Sequence, residues 1–452
     1  MNLKLNYFVL IILILIYIQF IFFRPYEDDE SLYILSGKAI LQGKLNPFEA
    51  VYRGHYANPF QYIIGSPLAP IIYGLGYIIG GVFLSRFFAM IFIFLSLILI
   101  YKLTREIHGN PMISLIFAGF SSCTSLLASD SLLDPVSLFF FILSLFVVNK
   151  GMRVFGGISA GLAVISKFFS LIPVFFILVY LLVKKRNGWK FLLGMIIVLI
   201  PFAILYNQLT MIILRFLIVK KIDVVSLESL KNVLVYLIYY LPLASTFCLL
   251  KFKNPTIKKH FIFFIPTISV LAFHLITTNY ISLYRQLPFA EFTAAILAGR
   301  ILIKTDKKIL SLILGIVVIL NLYTSSVFVF YYPSYNSVED KLGDVNGRIL
   351  ALNPHAFILS KGWDIYATED NVFSYHFFDY KLDPSTCDIE SNMEDYETAL
   401  KDKFFDYAVI SSYSPPEYSR YVQIENLVRK YYCPYFKQNK PNGIDIYKKC
   451  DR

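Results

Sequence analysis

The sequence predicts a mainly α, polytopic membrane protein of about eleven transmembrane helices, with interfacial helices in its first outer loop and a small C-terminal α/β domain outside the membrane. Three observations predict this. Of 452 residues, 57% are hydrophobic and 16% charged, a balance that belongs to membrane proteins rather than soluble enzymes. The apolar residues gather at 5–23, 84–101, 112–128, 132–149, 155–167, 169–183, 190–206, 231–250, 260–278, 287–303 and 308–331, mostly near the ~20 residues that cross a bilayer. From Pro333 onward the chain turns charged, aromatic and turn-rich.

The net charge of +11 reports topology. Basic residues fall in short runs between spans: Lys102 and Arg105, Lys184-Lys185-Arg186 with Lys190, Lys251 and Lys253, Lys258-Lys259, and Lys304 with Lys307-Lys308. Cytoplasmic placement of these runs puts the N-terminus inside the cell membrane and the tail after Tyr331 outside. No run interleaves with aromatics as a nucleic-acid surface would, so no nucleic-acid partner is expected. Lys220-Lys221 dissents from the scheme and fits an amphipathic stretch resting on the interface.

The first span, from Leu5 to Phe23, lacks a small-x-small cleavage site and reads as a retained helix. The outer loop at 24–83 is too apolar to be free. Leu32, Leu35, Ala39 and Ile40 recur at helical spacing and predict an interfacial helix over Asp29–Gln42 with one apolar face. A polar segment, Arg53 to Pro59, leads to a second interfacial helix, broken by Pro67 and Pro70 and able to pack closely through Gly74, Gly76, Gly80 and Gly81. Residues 1–332 thus form a membrane domain and 333–452 a soluble one, with β-like runs at Arg348–Leu352, Tyr407–Ile410 and Ile444–Tyr447. Cys123 and Cys248 fall in spans as packing residues, whereas Cys387, Cys433 and Cys450 in the tail allow one disulfide and leave one thiol.

Acidic residues mark two places. Asp28, Asp29 and Glu30 follow Glu27 at the exit of the first span. Asp28 or Asp29 could simply cap the next helix, but capping accounts for one or two acids rather than four. The remaining reading is a carboxylate fixed at the membrane surface as general base. The second place holds Asp130 and Asp134, where Asp134 precedes Pro135 as an ordinary cap would. Cations at the same level are Lys167, Arg285, Arg53 and His55. Singly they could snorkel; together they offer fixed positive charge to a phosphate leaving group. Glu291, one turn into its span, could pair with Arg285 or belong to the site.

The order of these features resembles the GT-C superfamily of membrane glycosyltransferases. The matching series is Asp29-Glu30-x-x-Tyr33, Gly37-x-Ala39-x-x-x-x-Gly43, Leu84-Ser85-Arg86-Phe87-Phe88, Leu132-Leu133-Asp134-Pro135, Gly157-Ile158-x-x-Gly161-Leu162-Ala163-x-x-x-Lys167 and Tyr284-Arg285-Gln286-Leu287-Pro288. It is similar in particular to the dolichyl-phosphate-mannose–protein mannosyltransferase group, glycosyltransferase family 39, and its prokaryotic lipid-modifying relatives. The resemblance implies a hexosyltransferase that moves a sugar from a polyprenyl or dolichyl phosphate carrier to an acceptor on the outer face, with inversion. By position it implies Asp29 as base with Asp28 as understudy, Asp134 as second acid, and Lys167 and Arg285 near the lipid phosphate. Relatives often carry Lys or His before Pro-Pro in the first loop, where this chain has Gly65-Ser66-Pro67. Arg53, His55 and Gln61 are therefore all candidates for the carrier contact from that loop.

The partners expected are a lipid-linked sugar donor, a protein, lipid or glycan acceptor, and membrane lipids. Some members of the superfamily use a divalent cation, and two acidic sites are compatible with Mg or Mn. The alternative function is a transporter or flippase for a lipid-linked or anionic substrate. It would favour acids and broken helices near the midplane and an internal repeat, whereas the spans here are nearly free of acid and no repeat is visible.

Overall fold

The computed structural model describes residues 3–24, 28–44, 67–205, 242–277, 283–305, 345–351, 353–363, 372–374, 393–411, 419–438 and 443–450, with isolated positions at 231–237 and 308–343. The chain divides into two compact units: Met1–Phe23 with Gly65–Val327, and Arg24–Ile64 with Phe328–Arg452. The span expected at 308–331, the Arg53–Pro59 segment and Lys220-Lys221 lie wholly or mostly outside the described residues.

The first unit is helical. Among the described residues its longer elements are α1 (Leu3–Phe23), then, numbering past a helix of the second unit (α2, Asp28–Leu41), α3 (Leu68–Glu106), α4 (Pro111–Gly119), α5 (Ser122–Ala128), α6 (Leu133–Asn149), α7 (Arg153–Ser166), α8 (Leu171–Val183), α9 (Gly188–Leu205), α10 (Leu243–Leu250), α11 (Ile265–Thr277) and α12 (Leu283–Ile301). Among the described residues two helices, α3 and α9, are long and apolar enough to cross a membrane, and the bent pair α4–α5 adds a third if it is one span. Shorter apolar helices occupy Val9–Phe23, Leu133–Asn149, Arg153–Ser166, Phe168–Val183 and Phe261–Leu275, each near a stretch picked out by hydropathy.

Two expectations change. The interfacial helix expected after Pro67 and the span at 84–101 run together as α3, kinked at Gly80 and Gly81. Gly81 takes φ +67, which a side chain would resist, so glycine makes the corner. The stretch 112–128, expected as one crossing, is two helices bent by 70°. The break falls at Phe120 and Ser121, where Phe120 N still donates to Ile116 O and Ser121 turns extended (φ −62, ψ 133) as the cap of α5. Tyr17 completes the corner, its hydroxyl donating to the Gly119 carbonyl at 2.6 Å.

The glycine run at 156–161 is an interhelical surface. A Cβ at Gly157 would collide with the Phe191 carbonyl, and one at Gly194 with the Val154 carbonyl, so α7 and α9 meet backbone to backbone. On its other side α7 is tied to α6 by Ser137 Oγ donating to Ala163 O at 2.9 Å and Ser144 Oγ to Gly156 O at 2.8 Å. These contacts fix the end of α7, where Lys167 stands.

The second unit holds α2 and a five-stranded sheet of order β2-β1-β3-β5-β4. In chain order its elements are β1 (Ile349–Ala351), α13 (Pro354–Ser360), β2 (Val372–Ser374), α14 (Met393–Lys401), β3 (Tyr407–Ser411), α15 (Ser419–Tyr431), β4 (Cys433–Phe436) and β5 (Ile444–Lys448). Strand β1 runs parallel to β2 and β3, and β5 runs antiparallel to β3 and β4. The three β-like runs seen in the sequence are β1, β3 and β5. Strand β4 escaped because Pro434 weakens a strand pattern, and proline is tolerated there because β4 is an edge strand with a bulge.

Leu350, Ala408, Ile410 and Tyr447 face a core closed by Leu400 of α14 and by Ile424 and Val428 of α15. Ile349, Ala351, Val409 and Ile446 alternate to the opposite face, also buried, where α13 packs across β1 and β2. Cys433 and Cys450 form a disulfide that closes this end of the sheet, while Cys387 lies outside the described residues. Cys123 and Cys248 are buried thiols, as packing residues should be.

Candidate active site

In the first unit the structure brings together two of the residues singled out from sequence. Lys167 Nζ lies 2.5 Å from Oδ1 of Asp134. Asp134 was read as a second site acid, with capping as its plain alternative; α6 begins one residue earlier than that alternative needs, with Leu132 in the cap position, so Asp134 occupies the first turn. A carboxylate there is favoured by the positive end of the helix. Lys167 ends α7 in extended conformation (φ −157, ψ 117), which throws its side chain clear of the helix face. Its carbonyl accepts from both N and Oγ of Ser170, each at 3.0 Å, and so locks the following turn.

The pair is largely withdrawn from water: the carboxylate side is 1% exposed and the lysine side 18%. Taking either charge out of water alone is strongly unfavourable, so each side chain is the other's electrostatic partner. Ser129, Asp130 and Ser131 are buried as well, so the segment expected as an outer loop is an enclosed polar turn. It is closed by Leu132 N donating to Asp130 O at 2.9 Å.

Arg285, expected in a loop, lies in the first turn of α12 and is partly buried. Glu291 was read as a partner for Arg285 or a site residue; its carboxylate instead accepts from the amides of Ser245 at 2.8 Å and Ala244 at 3.1 Å. It caps α10 from a neighbouring helix, which supplies acceptors to amides that no carbonyl of α10 can reach.

Three residues that sequence reasoning gave no role support this site. Arg86 is 2% exposed and donates to Ile21 O at 3.0 Å, capping the last turn of α1. Tyr73 donates through its hydroxyl to Leu132 O at 2.6 Å, and its own carbonyl accepts from Ser85 Oγ at 2.7 Å. The first bond clamps the segment before the kink of α3 to the start of α6, near Asp134, and the second ties the two limbs of α3 across that kink. The signal available in the sequence was Arg86 itself, a charge inside an apolar span, which calls for a role by default.

In the second unit Asp28, Asp29 and Glu30 form the opening turn of α2, so the helix expected at Asp29–Gln42 is present one residue early. Asp28 and Asp29 stand inside that turn rather than before it. Asp29 is partly exposed, Tyr33 likewise, and Glu30 and Ser31 are fully buried. The single apolar face expected of an interfacial helix understates its burial: Leu32, Ile34, Leu35, Ser36 and Ala39 are all at 3% exposure or less. Glu27, Arg53, His55 and Gln61 lie outside the described residues.

Among the described residues no three His, Cys, Asp or Glu side chains come together, so the Mg or Mn compatible with the sequence has no assembled ligand set there.

No family model matches the chain, and no curated protein sequence matches it. Among solved structures it is similar to ArnT from Cupriavidus metallidurans in the apo state, with a TM-score of 0.57 at 11% identity, covering 97% of this chain and 97% of that one. It is similar also to ArnT from the same organism bound to undecaprenyl phosphate, with a TM-score of 0.54 at 12% identity, covering 99% and 98%. At such identity the likeness is one of fold, and it runs through nearly the whole of both chains.

Proposed function

We propose that this chain is an integral-membrane glycosyltransferase that moves a sugar from a polyprenyl or dolichyl phosphate carrier to an acceptor hydroxyl on the extracytoplasmic face, with inversion. The observation that carries the reading is the end-to-end fold likeness to a protein solved with undecaprenyl phosphate bound. The ordered motifs that resemble GT-C enzymes support it from sequence. The mannosyl or hexosyl nature of the sugar, and the choice among protein, lipid and glycan acceptors, rest on the motif resemblance alone.

In this reading the Asp29 carboxylate takes the proton of the acceptor hydroxyl. The acceptor oxygen forms its bond to the anomeric carbon from the face opposite the carrier. The bond from that carbon to the phosphate oxygen breaks, its electrons leave with the phosphate, and the configuration inverts. The chemistry asks for a base and for charge compensation at the leaving group. Lys167 and Arg285 supply the second, with Asp134 aiming the Lys167 ammonium. Asp28 and Asp130 are supporting acids in this proposal, Glu30 is a buried member of the base's turn, and Arg53 and His55 are candidate carrier contacts from the first loop.

The test is transfer from a panel of undecaprenyl-phosphate hexoses and pentoses to acceptors in a membrane extract. Wild-type protein is expected to release undecaprenyl phosphate and label an acceptor, and Asp29→Asn to lower the rate by about 10²–10⁴ while still binding undecaprenyl phosphate. Equal rates for the two proteins would remove Asp29 from the role. Absence of transfer with every donor, from protein that is folded, would remove the activity.

A further inference from the structure

We propose that the C-terminal unit, through α13, is the positioning element for the helix that carries Asp29. The proposal rests on the reading of Asp29 as base and extends it to residues more than 300 positions away in sequence.

The observation is a packing relationship inside the second unit. Helix α13 has seven residues, and four in succession, Ala356, Phe357, Ile358 and Leu359, are at 4% exposure or less. At 3.6 residues per turn four consecutive positions sample the whole circumference, so α13 is enclosed on every side. Strands β1 and β2 account for one side, and α2 packs on α13 as well. α13 is thus a spacer between the sheet and the Asp29 helix.

The spacer is held firmly. Phe357 meets Tyr335 and Trp363 edge to face, with ring centroids 6.1 and 5.9 Å apart. Tyr335 Oη accepts from Asn353 N at 3.2 Å, just ahead of the first turn. At the other end Lys361 Nζ donates to the carbonyls of Leu342 at 2.5 Å and Gly343 at 3.1 Å, and lies 4.6 Å from the Trp363 ring. The sheet beneath is tied by the Cys433–Cys450 disulfide.

The Asp29 helix needs such a support. It has 14 residues, a length at which an isolated helix is marginal in water, so its orientation is set by what packs on it. A general base displaced by about 1 Å loses on the order of 10²-fold in rate. Helix α13 is therefore the positioning element, acting on the reaction through α2, and Ile358 at its buried centre is the position at which this is tested.

The test compares full-length wild type with Ile358→Ala, Ile358→Val and Val428→Ala. Val428 is equally buried but lies in the core on the opposite sheet face. Hydrogen exchange is followed by mass spectrometry over 30–41, over 407–411 as a check that the sheet is intact, and over 133–166. Transfer from the undecaprenyl-phosphate sugar panel gives kcat and KM, and undecaprenyl phosphate gives a Kd. Ile358→Ala is expected to speed exchange over 30–41 at least tenfold, with 407–411 and 133–166 unchanged. It is expected to lower kcat at least tenfold with Kd unchanged. Ile358→Val is expected to restore most of both, and Val428→Ala to spare both.

Unchanged exchange over 30–41 in Ile358→Ala, with 354–360 deprotected, would overturn the coupling whether or not any donor is used. Full kcat in a variant whose α2 exchanges fast, in a wild-type background that does transfer sugar, would overturn the positioning role while leaving the transferase reading intact. Should no donor support transfer by wild type, the transferase reading fails and the positioning role with it, while the exchange arm still decides whether α13 supports α2. If Ile358→Ala loses protection over 407–411, the decision passes to Ile358→Val, whose residual loosening, smaller than tenfold, supports the coupling if it is confined to 30–41; exchange over 30–41 identical to wild type overturns it.

Discussion

The ammonium of Lys167 and the carboxylate of Asp134, 33 positions apart, meet at 2.5 Å in a setting that leaves 1% of the aspartate side chain exposed. The pair joins the C-terminal end of α7 to the first turn of α6. Removing one partner strands the other charge. Asp134→Asn and Lys167→Gln are each expected to destabilise the detergent-solubilised protein by about 3–5 kcal/mol, and the double variant by less than the sum. Thermal unfolding of all four proteins checks this; additive losses would show that the two side chains act independently.

Glu291 offers a second probe of the same helical unit. Glu291→Ala leaves the amides of Ala244 and Ser245 buried without their acceptor, at a cost of about 1–3 kcal/mol for each group. Glu291→Gln keeps a carbonyl oxygen and is expected to lose less. Unfolding midpoints in the order wild type, Gln, Ala are the expected result.

Gly157 tests the close approach of α7 and α9. Its replacement by Ala puts a methyl group into the Phe191 carbonyl, and a backbone atom cannot step aside as a side-chain end can. A loss of about 1–3 kcal/mol is expected from overpacking. Gly151→Ala nearby, where a Cβ would meet nothing, serves as a control for backbone effects at its φ of +84.

Tyr432 sets the pH behaviour of the sheet unit. Its hydroxyl donates to Phe405 O at 2.7 Å and accepts from Phe405 N at 3.1 Å. Burial pushes its phenol well above the ordinary range, so the folded unit holds the proton more tightly than the unfolded chain. The resulting stability is full below the ordinary tyrosine pKa of about 10 and is lost as pH rises above it. Hydrogen exchange over 419–438, corrected for its intrinsic pH dependence, is expected to show this alkaline loss in wild type. Tyr432→Phe is expected to be weaker at neutral pH and to lack that extra slope.

Much of the first unit was legible in the sequence because apolar run length and glycine spacing act locally. The stretches 132–149, 155–167 and 190–206 correspond to α6, α7 and α9 within two residues at each end. The broken pair α4–α5 was not, because a hydropathy window sums over Ser121 without registering that its backbone leaves the helix there. The candidate site was legible in its charges and not in its joins. Asp134, Lys167 and Glu291 stood out as charged residues at or inside apolar spans. That Asp134 pairs with Lys167, and Glu291 with two amides rather than Arg285, depends on which helices lie side by side. The same limit hid the contact of α13 with α2, since nothing local in Pro354–Ser360 points to residues 28–41.

The central claim is that this protein handles a sugar carried on a polyprenyl phosphate. Native mass spectrometry of the full chain, purified gently from its membrane and then supplied with undecaprenyl-phosphate sugars, reads the bound lipid directly. A glycosylated polyprenyl phosphate on wild type, converted to the bare phosphate when acceptor is added and retained by Asp29→Asn, is the predicted result. Recovery of bulk phospholipid alone, even with donor in excess, would contradict the account.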